Sequence, residues 1–209
     1  MSPRDRATAV TITNEGDDEL VMQADVYRWA QKPSGEDDLA LSEDLILSPP
    51  ILKLAPHARQ VVRLARVGAP PSESQLTYRL VVREVPEARK DPKNVQLQVA
   101  LAFSLPVFIT PANAKRELRC SARREAADAL AVTCENAGRV YAQPRSLEVS
   151  LPSGAQVASR ESAAYLLPGT QRSFELRAAP GATIPAGALK LAVTFDDGTT
   201  QAYDLSVSD

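Results

Sequence analysis

The sequence predicts an all-β protein made of two immunoglobulin-like β-sandwich domains. Short runs that alternate apolar and polar residues recur along the chain, helix-period patterns are few, and there are 16 prolines. The 209 residues are enough for one large β domain or two small ones. Acidic and basic residues nearly cancel, giving a formal net charge of -2. No overall basic field therefore indicates a nucleic-acid partner.

The first half of the chain contains alternating runs separated by turn-forming segments. The acidic segment KPSGEDDLALSED is predicted to be a loop, and the Pro49–Pro50 step cannot lie in a central ladder. Together with the segment described next, we expect about six strands, one fewer than an ordinary seven-stranded sandwich. The runs before that segment are 7–14, 20–31, 45–56, 58–67 and 75–86.

The most informative segment is 94–111, NVQLQVALAFSLPVFITP. Gln or Ala occupies the positions between its bulky residues, so an extended strand places the bulky residues on one face. The run exceeds the five or six residues of a usual strand, and such a strand can lend apolar side chains to another protein. The alternative is an ordinary core strand. The five bulky residues are Val95, Leu97, Val99, Leu101 and Phe103.

The second half predicts another sandwich. The boundary is expected in TPANAK, which divides the chain into domains 1–111 and 112–209. Short alternating runs then follow at regular spacing, as is typical of a sandwich. These runs are 116–122, 130–136, 143–152, 170–178, 188–195 and 201–208.

Cys120 and Cys134 are the two cysteines of the chain. They lie in runs that we interpret as adjacent antiparallel strands, where facing Cα atoms are about 4.5–5.5 Å apart and within disulfide range. A bond closing a loop of about 15 residues would stabilise the fold by roughly 3 kcal/mol. The alternative is a pair of buried free thiols. The absence of a C-x-x-C spacing argues against a redox role.

No pattern indicates an enzyme, a catalytic residue, a metal or a cofactor. His57 is the single histidine and lies in a turn, so the usual zinc ligand count is not reached. The G-x-S-x-G, P-loop, dinucleotide and calcium-loop motifs are absent. Trp29 is expected to fill the core or rim of the first domain. No apolar run reaches the roughly 20 residues of a membrane-spanning helix, and the start MSPRDRATAV contains no signal region.

Four segments, in this order, are similar to the PapD-like periplasmic pilus chaperones of the chaperone–usher pathway. They cover about residues 7–111, and the second half follows with weaker similarity, chiefly at CENAG. The ending SLPVFITP and the short loop before the long strand look more like the archaic branch of these chaperones. The four segments are ATAVTITNEG, LILSPPILKLAPHARQVVRL, YRLVVREVP and NVQLQVALAFSLPVFITP.

The resemblance implies two immunoglobulin-like domains in an L-shaped arrangement and a periplasmic chaperone that delivers pilus (fimbrial) subunits to an outer-membrane usher. Such subunits lack their last strand, and the chaperone supplies it by donor-strand complementation. The donor residues would be the five bulky residues of 94–111. We expect the first domain to lack its first strand here, with the signal peptide also absent, and the exposed sheet edges to allow self-association. The alternative is a structural or adhesive β-sandwich surface protein.

The resemblance also identifies candidates for two further roles. The family anchors the subunit carboxylate with an Arg in the first strand and a Lys at the position of Pro106, so the candidates here are Arg83, Lys115 and Arg139. The family also joins its domains through ion pairs, and the matching position of its Arg is Thr110. The interdomain candidates are Glu84, Asp196 and Asp197.

Overall fold

The computed structural model describes residues 1–2, 4–86 and 99–208. Fifteen β-strands form the regular secondary structure of these ranges, and the ranges contain no helix. The predicted all-β fold class is therefore confirmed. A search of the same ranges finds no helix with the length and apolar character needed to cross a membrane.

The chain divides into two compact units. The first is made of Met1–Ala30, Asp38–Ser72 and Leu76–Ala112, and the second of Gln31–Asp37, Glu73–Gln75 and Asn113–Asp209. The second unit thus includes two short segments that the sequence division at residue 111 assigned to the first domain.

Two glutamines explain why those short segments belong to the second unit. The side-chain oxygen of Gln31 accepts hydrogen bonds from the Leu167 amide and the Thr170 hydroxyl, both at 3.0 Å. The side-chain oxygen of Gln75 accepts a bond of 2.9 Å from the Tyr141 amide. A backbone amide bonded to a distant side chain leaves no periodic signal, so the sequence did not predict these segments.

The first unit is a sandwich of two antiparallel sheets. One sheet has the order β1-β6-β4, and the other has the order β3-β2-β7-β8, with β5 also paired to β2. The strands are β1 Ala7–Thr13, β2 Leu20–Gln31, β3 Asp37–Leu41, β4 Leu45–Ser48, β5 Ile51–Leu54, β6 Arg59–Arg66, β7 Leu76–Glu84 and β8 Ala102–Ile109.

The core of the first unit lies between these two sheets. Alternate residues of β7 point into it, and Leu80 is fully buried there together with Leu52 and Leu64. The chain changes sheet at Pro49–Pro50, because β4 pairs with β6 while β5 pairs with β2. The peptide bond before Pro49 is cis.

Strand β3 corrects the prediction that 32–44 is a loop. Lys32 and Glu36 close a turn through a backbone bond of 2.8 Å, and Gly35 adopts a φ of 83° within it. The chain then returns along β2 as an edge strand. All five residues of β3 are exposed, so the strand needs no apolar alternation, and the alternation that we used to find strands is absent.

The second unit contains the other strands in one antiparallel order, β15-β14-β11-β12-β13-β10-β9. Buried aliphatic residues such as Leu130, Val132 and Leu191 form its core. Cys120 of β9 lies directly opposite Cys134 of β10, and the structure joins their sulfurs at 2.05 Å. The strands are β9 Leu118–Ala126, β10 Ala129–Asn136, β11 Pro144–Ser150, β12 Gln156–Glu161, β13 Gln171–Arg177, β14 Gly187–Phe195 and β15 Thr200–Val207.

Each unit contains a buried asparagine two residues before a glycine. Asn136 accepts a bond from the Gly138 amide at 3.1 Å and donates to the carbonyls of Val140 and Leu166 at 2.8 and 3.0 Å. Asn14 repeats this arrangement with the Gly16 amide and three carbonyls of the first unit. Each asparagine thus joins carbonyls and an amide of neighbouring segments through one buried side chain.

The substitution Asn136→Ala should lower the free energy of unfolding by about 1–3 kcal/mol, because it removes all three hydrogen bonds that this buried side chain makes. Denaturant unfolding followed by circular dichroism measures the change. Asn113→Ala is the matched control, because Asn113 is exposed and its loss should change the free energy of unfolding little. Equal stabilities of the two variants would contradict the assigned role.

Candidate functional site

Strand β8 is an edge strand of the first unit. It pairs with β7 in an unbroken antiparallel register from Arg83↔Ala102 to Leu76↔Ile109. Among the described strands, β7 is its one sheet neighbour. One side of the β8 backbone therefore faces away from the sheet, and we call it the outer flank of β8.

The odd-numbered side chains of β8 lie on the core face, because Phe103 is directly opposite the buried Val82 and Leu105 is opposite the buried Leu80. Nearer the end of the strand, Val107 and Ile109 are only 8% and 0% exposed. The same row then leaves the core and continues as an exposed apolar row, whose exposure is 38% at Leu105, 52% at Phe103, 53% at Leu101 and 68% at Val99.

The exposed apolar row matches part of the predicted donor segment. Val99, Leu101 and Phe103 were predicted from their spacing, while Val95 and Leu97 lie outside the described residues. Leu105 was missed, although it continues the same period of two. Pro106 follows it, and β8 runs through this proline to Ile109.

Hydrogen bonds show which backbone groups of β8 point outward. The Leu101 carbonyl accepts a bond of 2.8 Å from Glu84, so odd-numbered residues direct their backbone groups toward β7. On the opposite side, Met1 donates to the Phe108 carbonyl at 2.7 Å, and the Thr110 amide donates to Met1 at 3.1 Å. Even-numbered residues therefore present their backbone groups along the outer flank.

Glu84 holds Leu101 of the exposed apolar row. In addition to the backbone bond above, its side-chain Oε2 accepts a hydrogen bond of 3.1 Å from the Leu101 amide. Leu101 precedes the first residue of β8, so this bond extends the β7 contact beyond the regular ladder. The interdomain role that the resemblance implied for Glu84 stays a prediction.

Arg83, one of the candidate anchors, is engaged by its neighbours on β2. Its guanidinium forms an ion pair with Asp25 at 3.0 Å and donates to the Tyr27 hydroxyl at 2.8 Å. The bond to Tyr27 is the largest cause that raises the pKa of Arg83, and Asp25 raises it further. The arginine is thus charged and already paired with a carboxylate.

The other two candidate anchors lie together in the second unit. The Arg139 amide donates to the Lys115 carbonyl at 2.9 Å, and both residues are exposed. Gly138 allows this close approach, because a Cβ there would lie 2.6 Å from the Lys115 carbonyl oxygen. The cationic side chains of Lys115 and Arg139 therefore start from neighbouring backbone positions in the second unit.

The acidic candidates in the second unit have local partners. Asp196 accepts a bond of 2.8 Å from the Tyr141 hydroxyl. Burial, and then this bond, raise the pKa of Tyr141 to about 12. Asp197 accepts bonds from Thr199, which lower the pKa of Asp197, and pairs with Arg116 at 3.3 Å. Their interdomain role also stays a prediction.

Nothing in the described ranges suggests a metal or catalytic centre. No group of three or more His, Cys, Asp and Glu side chains there could hold a metal ion. His57 lies exposed in a turn with a φ of 57°, and its Nε2 is 3.2 Å from Asp17. Trp29 is buried, as predicted, with its ring centroid 6.0 Å from that of Phe108.

One family model matches residues 1–115, which are more than half of the chain. It is the model of the pili and flagellar-assembly chaperone family, PapD N-terminal domain. The chain belongs to this family. It is a chaperone of pilus assembly, as the resemblance implied, and the family is a non-enzymatic one that works in the periplasm. The alternative of an adhesive or structural surface protein is not supported.

Solved structures of pilus chaperones share the fold over nearly the whole chain. A complex of CsuC and CsuE from the archaic Csu pili of Acinetobacter baumannii matches with 21% identity and a TM-score of 0.68, covering 100% of this chain and 95% of that chain. The CupB2 chaperone of Pseudomonas aeruginosa matches with 17% identity and a TM-score of 0.59, covering 99% and 95%.

A third similar structure is the SafB chaperone of Salmonella enterica in complex with the SafA pilin, at 17% identity and a TM-score of 0.60, covering 96% of this chain and 88% of that one. No curated protein matches the sequence. At these identities the structural likeness shows the fold alone, and it agrees with two all-β units.

The bond between Glu84 and Leu101 predicts the behaviour of one amide. Glu84→Ala should make the Leu101 amide exchange with solvent about 2- to 10-fold faster, because a hydrogen bond contributes about 0.5–1.5 kcal/mol. Hydrogen exchange followed by NMR measures this rate. Glu84→Gln keeps a side-chain oxygen acceptor and should restore most of the protection. An unchanged rate in Glu84→Ala would show that the side chain does not hold Leu101.

Proposed function

We propose that this pilus chaperone binds subunits by donor-strand complementation at the outer flank of β8 and delivers them to an outer-membrane usher. The observation that carries the proposal is the exposed apolar row. It continues, outside the core, the face of an edge strand whose Val107 and Ile109 are buried in the first unit. A subunit sandwich that lacks one strand offers the matching groove and the matching open sheet edge.

Strand addition would bind the subunit through backbone hydrogen bonds and through buried side chains. The backbone groups of the outer flank supply a hydrogen-bond ladder, and alternate side chains fill pockets. The four residues of the exposed apolar row are already about half buried, so completing their burial would contribute very roughly 3–6 kcal/mol before the cost of association, about half of the 1.5–3 kcal/mol that full burial of each exposed side chain gives. We propose that Val95 and Leu97, which were predicted from the sequence, are donor residues as well.

The similar structures support this class of partner. One is described as a complex of a chaperone with a tip adhesion subunit and another as a complex with a pilin. The CsuC–CsuE complex comes from an archaic pilus, which supports placing this chain in the archaic branch. We therefore propose a pilus subunit as the partner of β8.

We further propose a periplasmic location and a functional division into domains 1–111 and 112–209. The disulfide of Cys120 and Cys134 supports the location, because such bonds persist in oxidising compartments such as the periplasm. For the carboxylate anchor, we favour Lys115 and Arg139 over Arg83. No carboxylate of the described residues pairs with either, whereas Arg83 is bonded to Asp25.

The proposal predicts that the exposed apolar row is required for complex formation but not for folding. Leu101→Ser combined with Phe103→Ser should abolish recovery of a 1:1 complex on co-expression with a pilus subunit of the same gene cluster. The thermal unfolding of the free chaperone should change little, because both side chains are about half exposed.

Ile51→Ser provides the matched control for that double variant. Ile51 is a large aliphatic residue that is 64% exposed on β5, away from β8, and its loss should leave recovery unchanged. Full recovery of the complex with the double variant would sink the donor assignment.

We also propose that a second copy of the chain occupies the outer flank when no subunit is present. An open edge strand and an exposed apolar row are features that promote self-pairing. Light scattering should show a mass that rises with concentration, and Phe103→Ser should reduce this rise while Ile51→Ser does not. A clean monomer at high concentration would contradict this expectation.

A further inference from the structure

We infer that Pro106 ends the hydrogen-bond ladder between this chaperone and its subunit, so that the bound strand stops between Ser104 and Phe108. This inference rests on the proposed function and specifies which part of β8 a subunit can pair with. The occupant is the extended backbone of the subunit's open sheet edge.

The orientation of Pro106 follows from bonds on both sides of β8. The amide and the carbonyl of Leu101 are both bonded to Glu84, whereas the Phe108 carbonyl and the Thr110 amide are bonded to Met1 on the other side. Backbone groups alternate sides along a strand, so the even-numbered Pro106 faces the outer flank. Its ring nitrogen lacks the hydrogen that a partner strand would need.

This orientation also explains how a proline fits inside β8. Pro106 is opposite Arg79 in the register, and the strand continues without a break to Ile109. The β7 ladder loses no donor, because Pro106 does not point its nitrogen at β7. The missing donor affects only a chain that approaches from outside, as expected for a proline in an edge strand.

A subunit strand therefore meets three kinds of position along the outer flank. Ala102 and Ser104 each offer an amide and a carbonyl on the side of β8 away from β7, where no described strand lies to bond them. Pro106 offers a carbonyl alone. Beyond it, the Phe108 carbonyl and the Thr110 amide are already bonded to Met1. The ladder is complete only before Pro106.

The side chains mark the same limit independently of the backbone. Leu105 is the last residue of the exposed apolar row, and Val107 is buried in the chaperone's own core. The side chains available to fill a subunit groove thus end at Leu105, next to the position where the outward backbone amides end. Pro106 is therefore a positioning residue that aligns the subunit so that its last filled pocket receives Leu105.

The substitution Pro106→Ala tests this inference, because it adds one amide to the outer flank. We expect the variant to bind the subunit about 2- to 10-fold more tightly, the gain of one hydrogen bond. By NMR, the new amide at position 106 should exchange rapidly in the free chaperone and be protected in the complex. Unchanged or weaker binding, or an unprotected amide in the complex, would overturn the inference.

The substitution Ser104→Pro should change the affinity for the subunit in the opposite direction. It removes an outward amide before Pro106 and should weaken binding at least several-fold, while the β7 ladder keeps its donors. Subunit affinity unchanged by Ser104→Pro would overturn the inference, because Ser104 would then not belong to the ladder.

The two proposals fail in different ways. If a complex still forms after Leu101→Ser and Phe103→Ser, the donor strand itself is wrongly assigned. If those substitutions abolish the complex but Pro106→Ala fails to strengthen binding or leaves the new amide unprotected in the complex, only the role of Pro106 is wrong.

Discussion

The outer flank of β8 is the constraint on which the rest of the first unit depends. An edge strand presents unpaired amides and carbonyls, and proteins usually limit this hazard by charges, prolines or coverage. Here the edge is left open at Ala102 and Ser104, while Pro106 and Met1 restrict it toward the end of the strand. The opening is therefore short and has a defined end.

Strand β8 performs two tasks with one side-chain period. Its final residues, Val107 and Ile109, close the core of the first unit, and the earlier residues of the same row remain accessible. A single alternating pattern can do this because the sandwich ends before the strand does. The side chains that stabilise the chaperone and those offered to a subunit are consequently different residues, so binding can be altered without unfolding the protein.

The sequence predicted the fold class, the family and most of the exposed apolar row because all three are expressed as local patterns. Alternation of apolar residues identifies a strand, and the REVP segment followed by a long alternating run identifies the family. The limit of the row at Leu105 could not be predicted, since exposure depends on where the opposite sheet ends. Strand β3 was missed because a fully exposed edge strand carries no apolar alternation. The engagement of Arg83 by Asp25 was also missed, since it depends on the register of β2 and β7.

Rigidity of the β8 backbone makes the offered strand effective. The register with β7 holds Ala102 to Ile109 extended, and Glu84 continues this hold to Leu101. On the opposite face of β8, Phe108 packs against the buried Trp29, whose ring is covered by the Arg79 guanidinium at 3.7 Å from its centroid. A strand held on one edge and on one face loses little further freedom when a partner pairs with it, so more of the burial energy appears as affinity. The apolar row that β8 presents is thus supported by contacts that a subunit does not have to supply.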